Sequence, residues 1–264
     1  MTVGAGAVRF DVSLAAGWVL WGLGTVLGLV TAVWIPYMMI VHHRDAQPSG
    51  GWLMPVVPPM VSAANGALLV PHAPAVAQSA MLVACYAMFG ISLFATLAIL
   101  PQIWNRLVVH GPGPAATVPT MWIVLGPLGQ SVTAAGLLGD RAGALPEPFA
   151  SGARVFGLLY GVPTWGFAML WLALAAAVTA RTARRGLPFS LTWWSFTFPV
   201  GTCVTGTSVL FAHTGLGAFG LVAMVLYALL AAAWAVVAVR TVRWILSPPA
   251  APLSRRWTGD ARGR

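Results

Sequence analysis

Three prolines in this chain are each followed by polar, uncharged side chains at the third and sixth positions. Pro59 precedes Ser62 and Asn65, Pro127 precedes Gln130 and Thr133, and Pro199 precedes Thr202 and Thr205. Amides and hydroxyls of this kind offer hydrogen-bond donors and acceptors to a passing solute or to a neighbouring backbone. Residues three apart share a helix face, so each copy lays down a polar stripe. A proline inside a helix removes one N–H and crowds the carbonyl four residues earlier, and in lipid that carbonyl needs a partner. The spacing therefore predicts helix kinks at Pro59, Pro127 and Pro199, with a polar path beside them. Dry packing of small and polar residues between membrane helices is the other reading of one such stripe. Three copies in one register favour the path.

The second and third copies agree further. Trp122 and Trp194 each lie five residues before the proline, Gly129 and Gly201 two after it, and Val132-Thr133 matches Val204-Thr205. The residue before the proline varies: Pro58, Gly126, Phe198. On helical spacing Phe198 shares a face with Ser195, Thr202 and Thr205. An apolar ring within a polar stripe would obstruct a path and gate it; a packing aromatic is the plainer alternative. The expected lining is Ser62, Asn65, Gly126, Gln130, Thr133, Ser195, Thr202 and Thr205.

The elements that must carry these residues are membrane helices. The chain is 59% hydrophobic and 7% charged, where soluble domains are about a quarter charged. Apolar runs near the bilayer-spanning length of about 20 residues cover Ala15–Val41, Trp52–Val70, Ala80–Leu100, Thr120–Leu138, Val155–Ala180, Leu191–Phe211 and Leu216–Ile245. The expected fold is an all-α integral membrane protein with seven transmembrane helices. The prolines recur after 68 and 72 residues, so each repeat is a hairpin: a proline-kinked inner helix, then a plainer outer helix. The first span lacks the pattern and reads as an outer helix. Residues 1–14 form an N-terminal segment, 15–246 the membrane domain and 247–264 a basic tail expected to be disordered.

All 14 basic residues are arginine. Numbering the sides by alternation puts Arg9, Arg141 and Arg154 on one side and the other eleven, among them Arg106, Arg181, Arg184, Arg185, Arg240 and Arg243, on the opposite side. Positive charge marks the cytoplasmic side, so the C-terminus is expected inside and the N-terminus outside, in a multi-pass plasma-membrane protein. The net charge of +9 suits anionic lipid headgroups. Nucleic-acid binding would need a folded module for which no sequence remains.

No Asp, Glu or Lys lies in any span, which disfavours a carboxylate proton relay and a retinal Schiff base. His42, His43, His72, His110 and His213 fall at helix ends or in loops without i, i+4 pairing. Metal and haem sites are therefore not expected. Cys85 and Cys203 each sit within a span and read as small core residues. With no nucleophile–base constellation, neither enzymatic activity nor a cofactor is expected.

Trp193-Trp194-Ser195-Phe196-Thr197-Phe198-Pro199-Val200-Gly201, together with Pro119-Thr120-Met121-Trp122-Ile123-Val124-Leu125-Gly126-Pro127-Leu128-Gly129-Gln130, resembles the tellurite-resistance/dicarboxylate transporter family. That family includes bacterial tellurite-resistance proteins, fungal malate permeases and sulfite efflux pumps, and plant slow anion channels. The resemblance implies helical hairpins whose inner helices surround a pore, trimeric assembly, and a phenylalanine that occludes the pore. By position that phenylalanine is Phe198, with Phe196 the runner-up. The seven spans match the fourth to tenth of ten family helices, so the first three are expected to be missing. The implied substrates are small anions: malate or another C4-dicarboxylate, sulfite, tellurite, halide or nitrate. A truncated fragment without transport, or a membrane interaction subunit, is the alternative.

Overall fold

The computed structural model describes residues 13–42 and 47–246. Residues 1–12, 43–46 and the tail from 247 lie outside them, so the expectations for the N-terminal segment and the tail rest on sequence alone. The described residues form seven α-helices and no strand. They are α1 (Leu14–Val41), α2 (Pro58–Leu69), α3 (Ala75–His110), α4 (Leu125–Asp140), α5 (Phe149–Ala183), α6 (Phe198–Thr214) and α7 (Gly217–Leu246). The chain is an all-α membrane protein. Six helical segments are long and apolar enough to cross a bilayer. The seventh, α2, has 12 residues and is extended by short 3₁₀ turns at Gly50–Leu53 and Val70–His72.

Burial separates two layers. The span Ala115–Asp140, which contains α4, is 89% buried, whereas the spans of α1 and α7 are 6% and 11% buried. A central helix surrounded by protein cannot be amphipathic in the soluble sense, and neither can an outer helix bathed in lipid. On α1 the exposed side chains are themselves apolar, among them Val19, Leu23, Val26, Leu27 and Val33. The inner helices α2, α4 and α6 form an arc with α4 in the middle. Outside it, α1 packs on α2, α3 on α2 and α4, α5 on α4 and α6, and α7 on α6.

The three repeat prolines do not kink continuous α-helices. Pro59 and Pro199 stand at the start of α2 and α6, and Pro127 is the third residue of α4. Each helix is preceded by a 3₁₀ segment: Gly50–Leu53, Ala115–Val124 and Leu191–Phe196. The first-turn N–H has no intrahelical acceptor, so proline loses nothing there and its fixed φ suits helix initiation. Among the described residues, the prolines inside α-helices are Pro36, Pro101 and Pro163, in the outer helices α1, α3 and α5. The outer layer is thus less plain than its composition suggests.

Candidate functional site: a cavity at the start of the inner helices

The repeat period reappears as a contact register. Thr133 on α4 and Thr205 on α6 are 72 residues apart in sequence, and their hydroxyl oxygens are 2.8 Å apart in a hydrogen bond. One turn or more towards the C-termini, His213 Nε2 meets Asp140 Oδ1 at 2.8 Å with a separation of 73 residues. Between them Gly136 faces Val209 and His213. Towards the N-termini, Gly129 is so close to α6 that an added β-carbon would lie 2.5 Å from the Thr202 carbonyl carbon. Gly206 returns the contact, with a virtual β-carbon 2.8 Å from the Gly129 oxygen. The two copies therefore lie side by side, parallel and at equal depth. Small residues allow the backbones to meet, as membrane helices require in the absence of a hydrophobic drive between them.

This packing decides where the expected lining residues go. Thr202 is 3% exposed and its hydroxyl lies within bonding distance of the Leu125 and Pro199 carbonyls, at 3.1 and 2.7 Å. Thr133 is buried between Thr205 and the Gly129 carbonyl, and Gln130 is buried too. Ser62 is fully buried on α2, where its carbonyl accepts from Trp21 Nε1 of α1 at 2.9 Å. Asn65 is half-buried, and its amide nitrogen is shielded from solvent without a partner. Much of the polar stripe thus joins helices. Its hydroxyls satisfy carbonyls that lipid could not.

At the beginning of the arc the inner helices part around a cavity of about 640 Å³. Its walls are the first turns of α2, α4 and α6 and their 3₁₀ leaders. Of the expected residues it gathers Gly126, Ser195 and Phe198, beside Pro199. The Phe198 ring is 50% exposed. It rests against α4, 3.7 Å from where a β-carbon on Gly126 would be. Ile123 and Val61 close the wall, and Thr120 and Thr192 add hydroxyls. These four escape the proline-plus-three pattern because they sit before the α-helices start or, for Val61, carry no polar signal.

Phe196 lies elsewhere. Its ring makes edge contacts with Trp122 at 5.1 Å and Trp193 at 5.8 Å, and it packs on the buried core. It holds the 3₁₀ leader of α6 against that of α4 and does not line the cavity. Arg240 of α7 covers the other side of Trp193, 4.8 Å from the ring centre, a favourable cation–π distance.

The charges at the two ends differ. The C-terminal ends of α3, α5 and α7 carry Arg106, Arg181, Arg240 and Arg243, with Arg184 and Arg185 just beyond α5, and no described carboxylate lies near them in sequence. The opposite end holds Asp140, Arg141, Glu147 and Arg154. Glu147 accepts from the Ser151 N–H at 3.1 Å. The Ser151 hydrogen bonds, with a smaller contribution from the Arg154 charge, lower its carboxyl below the usual range.

The comparisons with known proteins agree with this architecture. The family model described as Voltage-dependent anion channel matches residues 1–242. The chain belongs to that family. It is the tellurite-resistance/dicarboxylate transporter family that the double-Trp segment resembles, a family of transporters and channels rather than enzymes. An uncharacterized transporter of Methanocaldococcus jannaschii is 26% identical over 252 residues, covering 94% of this chain and 71% of the relative. A sulfite efflux pump of Trichophyton rubrum is 28% identical over 201 residues, covering 72% of this chain and 53% of the pump. That of Arthroderma otae is 26% identical over 235 residues, covering 85% and 62%. No solved structure matches. Membership of the voltage-dependent anion channel family supports a multi-pass membrane protein and small anions as its substrates.

Proposed function

We propose that the chain moves small anions along the concave side of the α2–α4–α6 arc, with Phe198 as the gate. The observation that carries this reading is the half-exposed Phe198 ring lying in a cavity bounded by the first turns of three inner helices. A ring held by glycine contact on one side and open on the other can swing, whereas a core aromatic cannot. Ser195 supplies a hydroxyl donor there, the Thr120 and Thr192 hydroxyls being given to the Thr117 and Ala116 carbonyls, and Thr205 continues the exposed path along α6. Helix N-termini carry partial positive charge, which favours anions at the entrance without a buried cation.

The orientation we propose follows the arginines: the cavity end faces the cytoplasm of a plasma-membrane protein, with the C-terminus inside and the N-terminus outside. Clustered Arg there would raise the local anion concentration. Sulfite is one substrate of the proposal because the pumps named above resemble the chain. Malate or another C4-dicarboxylate, tellurite, halide and nitrate are the others. A homotrimer is the proposed assembly, and membrane lipids are its surroundings. The edges of α2 and α6 face each other across the cavity and do not close the arc by themselves. That observation keeps a second reading open, an interaction subunit whose concave side is covered by other helices and conducts nothing.

The test is anion flux into proteoliposomes, with Phe198→Ala compared with the unaltered chain at equal incorporation. The gate reading expects flux to rise several-fold. Equal flux in a conducting preparation removes Phe198 from the gate. No flux from either protein, beside a conducting family member reconstituted in parallel, favours the interaction subunit.

A further inference from the structure

The outer layer contains a second cavity, about 410 Å³, on the far side of α4 from Phe198. Its floor is Pro127, Leu128 and Ser131 of α4 with Met60 of α2. Its two sides are the outer helices α3 and α5. These helices touch through aromatic pairs above and below it. At one end Phe89 meets Tyr160 at 5.6 Å and Phe156 at 6.2 Å; at the other Trp104 meets Trp171 at 5.9 Å. Between the pairs Leu93 and Leu97 face Thr164 and Phe167 across an open gap. Both outer helices carry an interior proline here, Pro101 and Pro163. Such prolines bend helices, and bends in the two neighbours give a physical reason for the gap.

The gap opens on the outer surface of the helix assembly. It lies midway along two membrane-spanning helices, and Leu97 at its mouth is 53% exposed. The polar groups in its wall are already paired: Tyr160 donates to Ser131 at 2.8 Å, Ser131 to the Leu128 carbonyl at 2.8 Å, and Thr164 to the Tyr160 carbonyl at 2.8 Å. The remaining hydroxyl, that of Thr96, is shielded from solvent and has no partner. An occupant therefore meets methyl, methylene and ring surface and no accessible unpaired donor. Leaving the void empty forfeits dispersion contacts on every wall, and the medium outside consists of hydrocarbon tails.

We propose that this window is a binding site for one acyl chain of a surrounding bilayer phospholipid, which enters between α3 and α5 and lies against the reverse face of α4. The site is independent of the transport reading, since it needs only the membrane setting and the outer helices. Leu128 and Ser131 are on the opposite side of α4 from Gly126, so the tail braces the wall against which Phe198 rests.

The test uses the full chain in nanodiscs of phosphatidylcholine containing a fraction with a diazirine at mid-chain. After photolysis the labelled peptides are mapped by mass spectrometry. Labelling is expected on both walls, at Leu93–Leu97 of α3 and at Thr164–Phe167 of α5. Leu97→Trp fills the mouth and should lower labelling of the α5 wall at least fivefold; Leu97→Phe is the milder variant should the first fail to fold. Phe94→Trp, which points outward at 72% exposure, should leave labelling unchanged. Thr96→Val should also leave it unchanged, because the shape is kept. Labelling no richer in the window than at Phe94, or insensitivity to both Leu97 variants, would overturn the site. Loss of labelling in a folded Thr96→Val protein would overturn the acyl chain as occupant and indicate a hydrogen-bonding ligand.

Discussion

Thr133 and Thr205, 72 residues apart, bond to each other at 2.8 Å, the same separation as that between Pro127 and Pro199. Equivalent positions of two repeats thus touch each other at one depth in the membrane. The sequence duplication is at once a structural duplication and a packing interface. Because the hydroxyls meet each other, the pair contributes to helix association before it contributes to any path. A double-mutant cycle with Thr133→Val and Thr205→Val, read by unfolding in mild detergent, should give a coupling of about 0.6 kcal/mol, the average for such pairs in membranes. A coupling of zero would mean that the two hydroxyls act independently.

Two glycines of the same helix should respond in opposite ways. Gly129→Ala puts a β-carbon 2.5 to 2.7 Å from the Thr202 and Cys203 backbone, which cannot move aside as a side chain can. The expected loss is about 1–3 kcal/mol, seen as a lower unfolding temperature. Gly126→Ala meets only the Phe198 ring, at 3.7 Å, and should fold normally. Equal stability of the two variants would contradict the close α4–α6 crossing.

Trp171 is buried, with 1% exposure, and donates from Nε1 to the Met121 carbonyl at 2.9 Å. Trp171→Phe keeps most of the ring volume but removes that hydrogen bond. The cost should be about 0.5–1.5 kcal/mol, measured by thermal unfolding. Trp193→Phe, at the exposed edge of the aromatic group, should cost much less.

Glu147 gives a pH signature outside the membrane. Its carboxyl is held below the ordinary 4.5 by the Ser151 hydrogen bonds. A lowered folded value means that the stabilisation is complete above the unfolded value and disappears as pH falls through the folded one. Unfolding temperatures of the unaltered chain and Glu147→Gln should therefore separate above about pH 4.5 and converge below it. Because the group is fully exposed, the separation should be small and should shrink further in high salt. Curves that stay parallel down to pH 2 would remove the Ser151 bonds as its cause.

The layer order was legible because lipid and protein select different residues. Apolar length revealed the long helices, and the hydroxyl content of the proline-bearing segments set them in the inner layer. The helix boundaries were less legible. Pro59, Pro127 and Pro199 read as kinks because the apolar runs continue upstream of them, yet the upstream turns are 3₁₀, and hydropathy does not distinguish 3₁₀ from α. The cavity wall was legible at Gly126 and Phe198, which hold the same place in the repeat, and at Ser195, a hydroxyl on the Phe198 face. It was not legible at Ile123, Thr120 or Val61, whose place in the wall follows from how the 3₁₀ leaders turn. The same stripe that marked Thr202 and Thr133 as lining also suits a helix crossing, and Gly129 and Gly206 decide for the crossing. Only contact across 72 residues separates those uses.

The most direct measurement asks whether the cavity between the inner helices holds water. Ser195→Cys places a thiol in its wall, in a chain whose own Cys85 and Cys203 are buried. A membrane-impermeant thiol reagent added to the cavity side of reconstituted protein should label it at a rate near that of an exposed control, and a permeant anion should slow the labelling. Protection of Ser195→Cys in a folded protein, with no response to anions, would contradict a conduit through the α2–α4–α6 arc.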